Sequence, residues 1–385
     1  MINESRLKDL FERLVRIDSV SRREGAVSRE IRTLLEAMGA DIYIDGSGRH
    51  TGSETGNLIA KFKGNRDAPP LFLNAHMDTV EPGEGITPEF KNGVFTSDGT
   101  TILGADDKSA IAIIIEAMRV VRENDLPHGP IEVVLTTCEE IGLLGAKFLD
   151  RSLLDAAYGY ALDTFDTASI ITRAPAANHF QFTVHGRSAH AGAEPEKGIN
   201  AISIAARAIA GLTLGRIDTE TTCNIGFIES AGATNIVPEA VCVKGEARSH
   251  DASKLEQVTG GIVSAFERAI RDCPEKDDIA GLPRLESVIE NQFPNTFIPE
   301  DHPVVVIAKK AAQNLGRELV SKKTGGGSDA NIFFSKNIVT GVIGTGMRDA
   351  HTVRENISLA DMVKTVALLV EIMGVHAGQE DEIPS

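Results

Sequence analysis

Between Asn57 and Ile171 short apolar runs alternate with segments of helical periodicity, and this alternation limits the fold more than any other feature of the chain. Leu71-Phe72-Leu73-Asn74-Ala75, Ile131-Glu132-Val133-Val134-Leu135-Thr136-Thr137 and Tyr158-Gly159-Tyr160-Ala161-Leu162 read as strands. The clearest connecting helix is Asp107 to Glu123, and another is expected to begin within Glu139 to Leu149. Strands joined by helices predict an α/β fold, a mostly parallel sheet covered by helices. Two helices precede it, Ser5 to Asp18, with Leu7, Leu10, Phe11, Leu14 and Val15 on one face, and about Glu24 to Met38.

The character changes near Arg173-Ala174-Pro175. Strand Asn178 to His185, helix Gly198 to Leu212, strands Thr222 to Ser230 and Ala240 to Ser249, helix Ala252 to Asp272 and strand Arg284 to Glu290 follow. That βαββαβ order predicts an inserted ferredoxin-like α+β unit at 176–293. The alternating rhythm then returns with helix Pro303 to Leu315, strand Ile338 to Ile343 and helix Ser358 to Met373, so 1–175 and 294–385 are expected to form one domain. At 385 residues the chain has ample length for both.

The expected strands end in acidic and imidazole residues. His76-Met77-Asp78 closes the first run, Asp106-Asp107 stands between Gly104 and a helix, and Glu139-Glu140 closes the second run. Asp163 closes the third, and His351 follows the strand Ile338 to Ile343. A lone His or Asp after a strand usually caps a turn. Here several fall together at the carboxyl edge of one sheet, where α/β folds build their sites. Two metal ions about 3.5–4 Å apart need a bridging carboxylate and further His and carboxylate ligands. Imidazole and carboxylate without thiolate suit zinc, cobalt or manganese. Asp78 is expected to reach back to the free ring nitrogen of His76 and fix its tautomer. Glu139 stays available as a base, with Glu140 directed elsewhere if the backbone is extended.

Composition narrows the partners. Thirty-nine Lys and Arg against 55 Asp and Glu give a formal charge of −16, which disfavours nucleic acid and anionic membrane surfaces. The N-terminal residues lack the pattern of a signal peptide, and the apolar stretch Ile111 to Ile115 is far below the ~20 residues of a membrane span. A cytoplasmic protein with free Cys138, Cys223, Cys242 and Cys273 is expected. The glycine loop Thr324 to Asn331 lacks the Gly-Lys-Ser/Thr ending of a phosphate loop, and reads either as a substrate-facing loop or as a plain flexible turn.

Five segments carry a resemblance: Asn74-Ala75-His76-Met77-Asp78-Thr79-Val80, Leu103 to Ala110, Thr137-Cys138-Glu139-Glu140-Ile141-Gly142, Leu162-Asp163 and Ala350-His351-Thr352. They resemble the dizinc metallopeptidase family that includes peptidase T, carboxypeptidase G, succinyl-diaminopimelate desuccinylase and the aminoacylases. Within it the resemblance is closest to peptidase T, the tripeptide aminopeptidase. It implies that His76 and Asp163 hold one metal, Glu140 and His351 the other, that Asp106 bridges them, and that the Asp106-Asp107 peptide is cis. It further implies that the inserted unit is a lid or dimerisation domain, through which a homodimer could form. His190, in Ser188-Ala189-His190-Ala191-Gly192, would stabilise the oxyanion, Arg248 would grip a substrate carboxylate, and Asn235 would add a polar contact. The expected activity is removal of the N-terminal residue from short peptides, with Glu139 as general base. The alternatives are an N-acyl amino acid deacylase or carboxypeptidase of the same family and, outside enzymes, a metal-binding assembly protein.

Overall fold

A computed structural model of the chain describes residues 1–274 and 281–378. The chain packs as two compact units. The first holds Met1–Thr172, Phe297–Lys323 and the chain from Ser328 on; the second holds Arg173–Thr296 and Thr324–Gly327. The short loop Thr324–Gly327 thus packs with the second unit, although it lies beyond the expected limit of the insertion.

The main sheet of the first unit has four parallel strands at its centre, in the order Ile131–Thr136, Leu71–His76, Tyr158–Thr164, Val339–Gly344. All residues of the first two are buried, as expected of parallel strands covered on both faces. The flanks are antiparallel: Leu58–Phe62 and then Asp41–Ile44 on one side, Ser169–Ala174 on the other. The sheet is therefore mixed, with a parallel core. The helix Ala105–Glu123 is buried almost all round, because it lies between strand Leu71–His76 and the helices Glu4–Val15 and Leu359–Ala377. Helix Glu4–Val15 buries Leu7, Leu10, Phe11, Leu14 and Val15, and Asn3 caps it by accepting from the Arg6 N–H at 3.0 Å.

One element had not been expected. Glu89–Lys91, Val94–Thr96 and Asn356–Ser358 form a small antiparallel sheet. Asn92 and Gly93, with φ of 53° and 82°, make the two-residue turn that its hairpin needs. The third strand follows directly on the His351 segment and so fixes where that segment ends.

In the second unit the sheet order is Gly215–Arg216, Thr221–Glu229, Ala240–Ser249, Ala176–His185, Arg284–Phe293, with every neighbour antiparallel. Helices Ala201–Ala210 and Ala252–Arg271 pack on it around Phe180, Phe182, Val184, Val243 and Phe266. The Phe182 ring stacks on Phe266 at 4.6 Å between centroids and is fully buried. Phe182→Ala is expected to cost about 3–5 kcal/mol of stability, read from the denaturant midpoint of the folded variant.

Candidate metal centre

His76 is the last residue of its strand, Asp163 lies near the end of another, and Glu139-Glu140 follow Ile131–Thr136 in a tight turn. The helix expected within Glu139 to Leu149 is a single turn, Leu144–Lys147, preceded by Gly142 and Leu143 with positive φ of 110° and 59°. Asp106 and Asp107 sit in a break at the start of the helix Ala105–Glu123, with non-helical torsions, and their peptide bond is cis. His351 occupies a turn with φ of 63°.

These elements bring the first-unit candidates together. Asp106 Oδ1 lies 3.0 Å from His76 Nε2, and Asp106 Oδ2 lies 3.1 Å from His351 Nε2. One carboxylate thus spans two imidazoles. His351 Nε2 is also 3.0 Å from Glu140 Oε1. Ligand atoms of His76, Asp106 and Glu140 lie within 4.8 Å of one another, and so do those of Asp106, Asp107 and Asp163.

Burial raises the carboxyls of Asp107, Glu139, Glu140 and Asp163, and their mutual repulsion adds to it. Asp106 behaves oppositely: burial would raise it, but the imidazoles of His351 and His76 outweigh that and hold it well below the usual carboxylate range. Its contacts with Asp106 and then Glu140 push His351 up to about 10. Two imidazoles do not balance this many buried carboxylates. Asp107 Oδ1 and Asp329 Oδ1 moreover are buried without a hydrogen-bond partner. Crowded anionic oxygens beside two imidazoles fit a pair of divalent cations, with a donor set suited to zinc, cobalt or manganese.

Asp78 takes a different place from the one expected. The ring nitrogen Nδ1 of His76 faces the Asp78 main-chain carbonyl at 3.0 Å, while the nearest carboxylate oxygen is 3.5 Å away. The carboxylate instead accepts from the N–H groups of Glu139 at 2.9 Å and Glu140 at 3.2 Å, and from Ser21 Oγ at 2.6 Å. A fully buried carboxylate gains more from three donors than from one ring nitrogen. Asp78 therefore holds the Glu139-Glu140 turn.

Three acidic residues at the site were not nominated from sequence. Glu24 accepts from the Cys138 N–H at 3.0 Å, one residue before Glu139. Asp329, which burial pushes up to about 7, accepts from Thr136 Oγ1 at the end of a central strand. Glu355 accepts from the N–H groups of Leu103, Gly104 and Asp106. Asp329 lies within the glycine loop Thr324 to Asn331 that the sequence marks, whereas Glu24 and Glu355 carry no local signal.

The remaining candidates belong to the second unit. His190 is exposed, and its Nδ1 accepts from the N–H groups of Gly192 and Ala193, each at 3.1 Å. That places the ring proton on Nε2, which keeps an outward donor. Asn235 is exposed, and its carbonyl accepts from the Ala191 N–H at 2.9 Å. Arg248 is already engaged: Glu246 takes its Nε and Nη2 at 3.1 and 2.9 Å, and the Gly325 carbonyl takes Nη1 at 3.2 Å.

The model of peptidase family M20/M25/M40 matches residues 72–374. The chain belongs to this family. An uncharacterised protein of Bacillus subtilis, YqjE, is 42% identical over 374 residues, covering 97% of this chain and 99% of its own. The crystal structure of aminopeptidase PepT from Bacillus cereus superposes with a TM-score of 0.89 at 39% identity, covering 98% of this chain and 99% of that one. A tripeptidase structure from Staphylococcus aureus gives 0.92 at 36% identity, covering 98% and 100%. The chain is thus a metallopeptidase of the M20 family, similar to its peptidase T-like members.

Proposed function

We propose that the chain is an aminopeptidase that removes the N-terminal residue of short peptides, with Glu139 as general base at a two-metal site. The observation that carries the metal part is the Asp106 carboxylate lying between His76 and His351, 3.0 and 3.1 Å from their Nε2 atoms. His76 and Asp163 would hold one ion, Glu140 and His351 the other, and Asp106 would bridge. Bound there, the ions would polarise the scissile carbonyl and acidify a water. Glu139 takes a proton from the attacking water as the new C–O bond forms, and returns it to the amine nitrogen as the C–N bond breaks. Its main chain is tied by Asp78 at 2.9 Å, and Glu24 ties the preceding residue, so the base keeps its place through both transfers. In this reading His190 serves the developing oxyanion through Nε2–H. Arg248 serves a substrate carboxylate by exchanging it for Glu246.

The choice of a free amino terminus rests on the similarity to aminopeptidase PepT and to the tripeptidase. Rates on a tripeptide, the same peptide N-acetylated, and an N-acetyl amino acid test it. The blocked substrates are expected to react at least about 100-fold more slowly, since a site that pairs with a polar group leaves its own groups unpaired when that group is masked. Equal rates on blocked and free substrates would instead favour a deacylase or carboxypeptidase.

A further inference from the structure

Glu355 lies four residues after His351, next to the strand Asn356–Ser358, yet its side chain acts on a different segment altogether. One carboxylate oxygen accepts from the N–H groups of Leu103 and Gly104, both at 2.7 Å. The other accepts from the N–H of Asp106 at 2.9 Å. These donors need an outside partner. Gly104 has φ of 75°, and Asp106 and Asp107 have non-helical torsions, so the chain enters the helix Ala105–Glu123 through a break in which regular helical bonding is lost. Glu355 is buried at 1% exposure, and its three contacts span about 250 residues of sequence.

The far end of this strap is fixed as well. The Glu355 N–H donates to the Thr352 carbonyl at 3.0 Å, and Arg348 and Asn356 exchange main-chain hydrogen bonds of 2.8 and 3.0 Å across the base of the His351 turn. Asn356–Ser358 then pairs with Val94–Thr96. The His351 turn and the Asp106 break are thereby joined through one buried carboxylate, and across that joint His351 Nε2 meets Asp106 Oδ2 at 3.1 Å.

We infer that Glu355 is a positioning residue for the two-metal centre: by holding three main-chain N–H groups around Asp106, it sets the bridging carboxylate against His351. The inference rests on the two-metal reading above. Gln at this position keeps the size but turns an NH2 group toward N–H donors, so it cannot serve all three. Asp keeps the charge with a shorter reach and can serve part of the set.

The test measures metal affinity rather than turnover. Wild-type, Glu355→Gln and Glu355→Asp proteins are stripped with chelator, checked for native circular dichroism, and titrated with Zn(II) against a chromophoric chelator and with Co(II) by visible absorption. Glu355→Gln is expected to bind metal on the order of 10–100-fold more weakly, with an altered Co(II) spectrum, and Glu355→Asp to fall between it and wild type. Should Gln prevent folding, the Asp protein carries the test by itself through the same two titrations. A folded variant with wild-type affinity and an unchanged Co(II) spectrum overturns the inference. A wild-type protein that takes up no second ion overturns the two-metal reading instead, and the two failures are thus distinguished.

Discussion

Glu139→Gln is expected to lower kcat by about two to four orders of magnitude while leaving the metal content of the dialysed protein at the wild-type level. The structure separates this residue from its neighbour. Glu140 lies 3.0 Å from His351 Nε2 and shares a ligand cluster with His76 and Asp106, whereas Glu139 belongs to neither metal-sized cluster among the described residues. Its carboxyl is raised by burial first, and by repulsion from Asp163, Asp329 and Glu140, with His76 opposing. Gln matches Glu in shape, and the main-chain bond to Asp78 does not involve the side chain, so the turn is expected to survive. Metal analysis and peptide cleavage on one preparation decide the matter. Wild-type turnover would remove Glu139 from the mechanism, and lost metal would make it a ligand.

How much of this site can be read from sequence depends on what each side chain acts upon. His76 and Asp163 lie at or near the ends of central strands and Glu140 and His351 follow such strands, while Asp106 opens the helix Ala105–Glu123, and the alternation of strand and helix places strand ends on one edge. Glu24 and Glu355 act on main-chain N–H groups 114 residues and about 250 residues away. In the linear sequence each resembles any solvated glutamate, and only packing reveals that it is buried. Asp78 was visible as an acidic neighbour of His76, but its direction depends on where the Glu139-Glu140 turn lies. The same holds for the fold. The parallel core follows from continuous apolar runs, while the antiparallel flanks depend on pairings that periodicity does not specify. The hairpin at Asn92-Gly93 did carry a local turn signal, but its strands of three residues were too short to show a period.

The second large effect is expected at Asp106. Asp106→Asn should leave a folded protein that no longer retains two metal ions and no longer hydrolyses peptides. Each oxygen of the native carboxylate faces a different imidazole, at 3.0 and 3.1 Å, so both are committed. Asn offers one oxygen and replaces the other with an NH2 group, which has no lone pair for a cation. It also removes the negative charge that His351 and His76 keep ionised against the cost of burial. Metal binding should therefore fail at both positions rather than one, because a bridge is shared. Thermal unfolding with and without added Zn(II) separates this from a folding defect. A ligand that binds only the folded state at 100 times its Kd stabilises by about 2.7 kcal/mol, so wild-type protein should melt higher with metal and lower after chelation. Asp106→Asn should melt alike in both conditions. A variant that still gains thermal stability from two equivalents of metal and cleaves peptides would refute the bridge. A variant that keeps one equivalent would show Asp106 to be a ligand of a single ion, with the retained ion held by its own histidine and carboxylate.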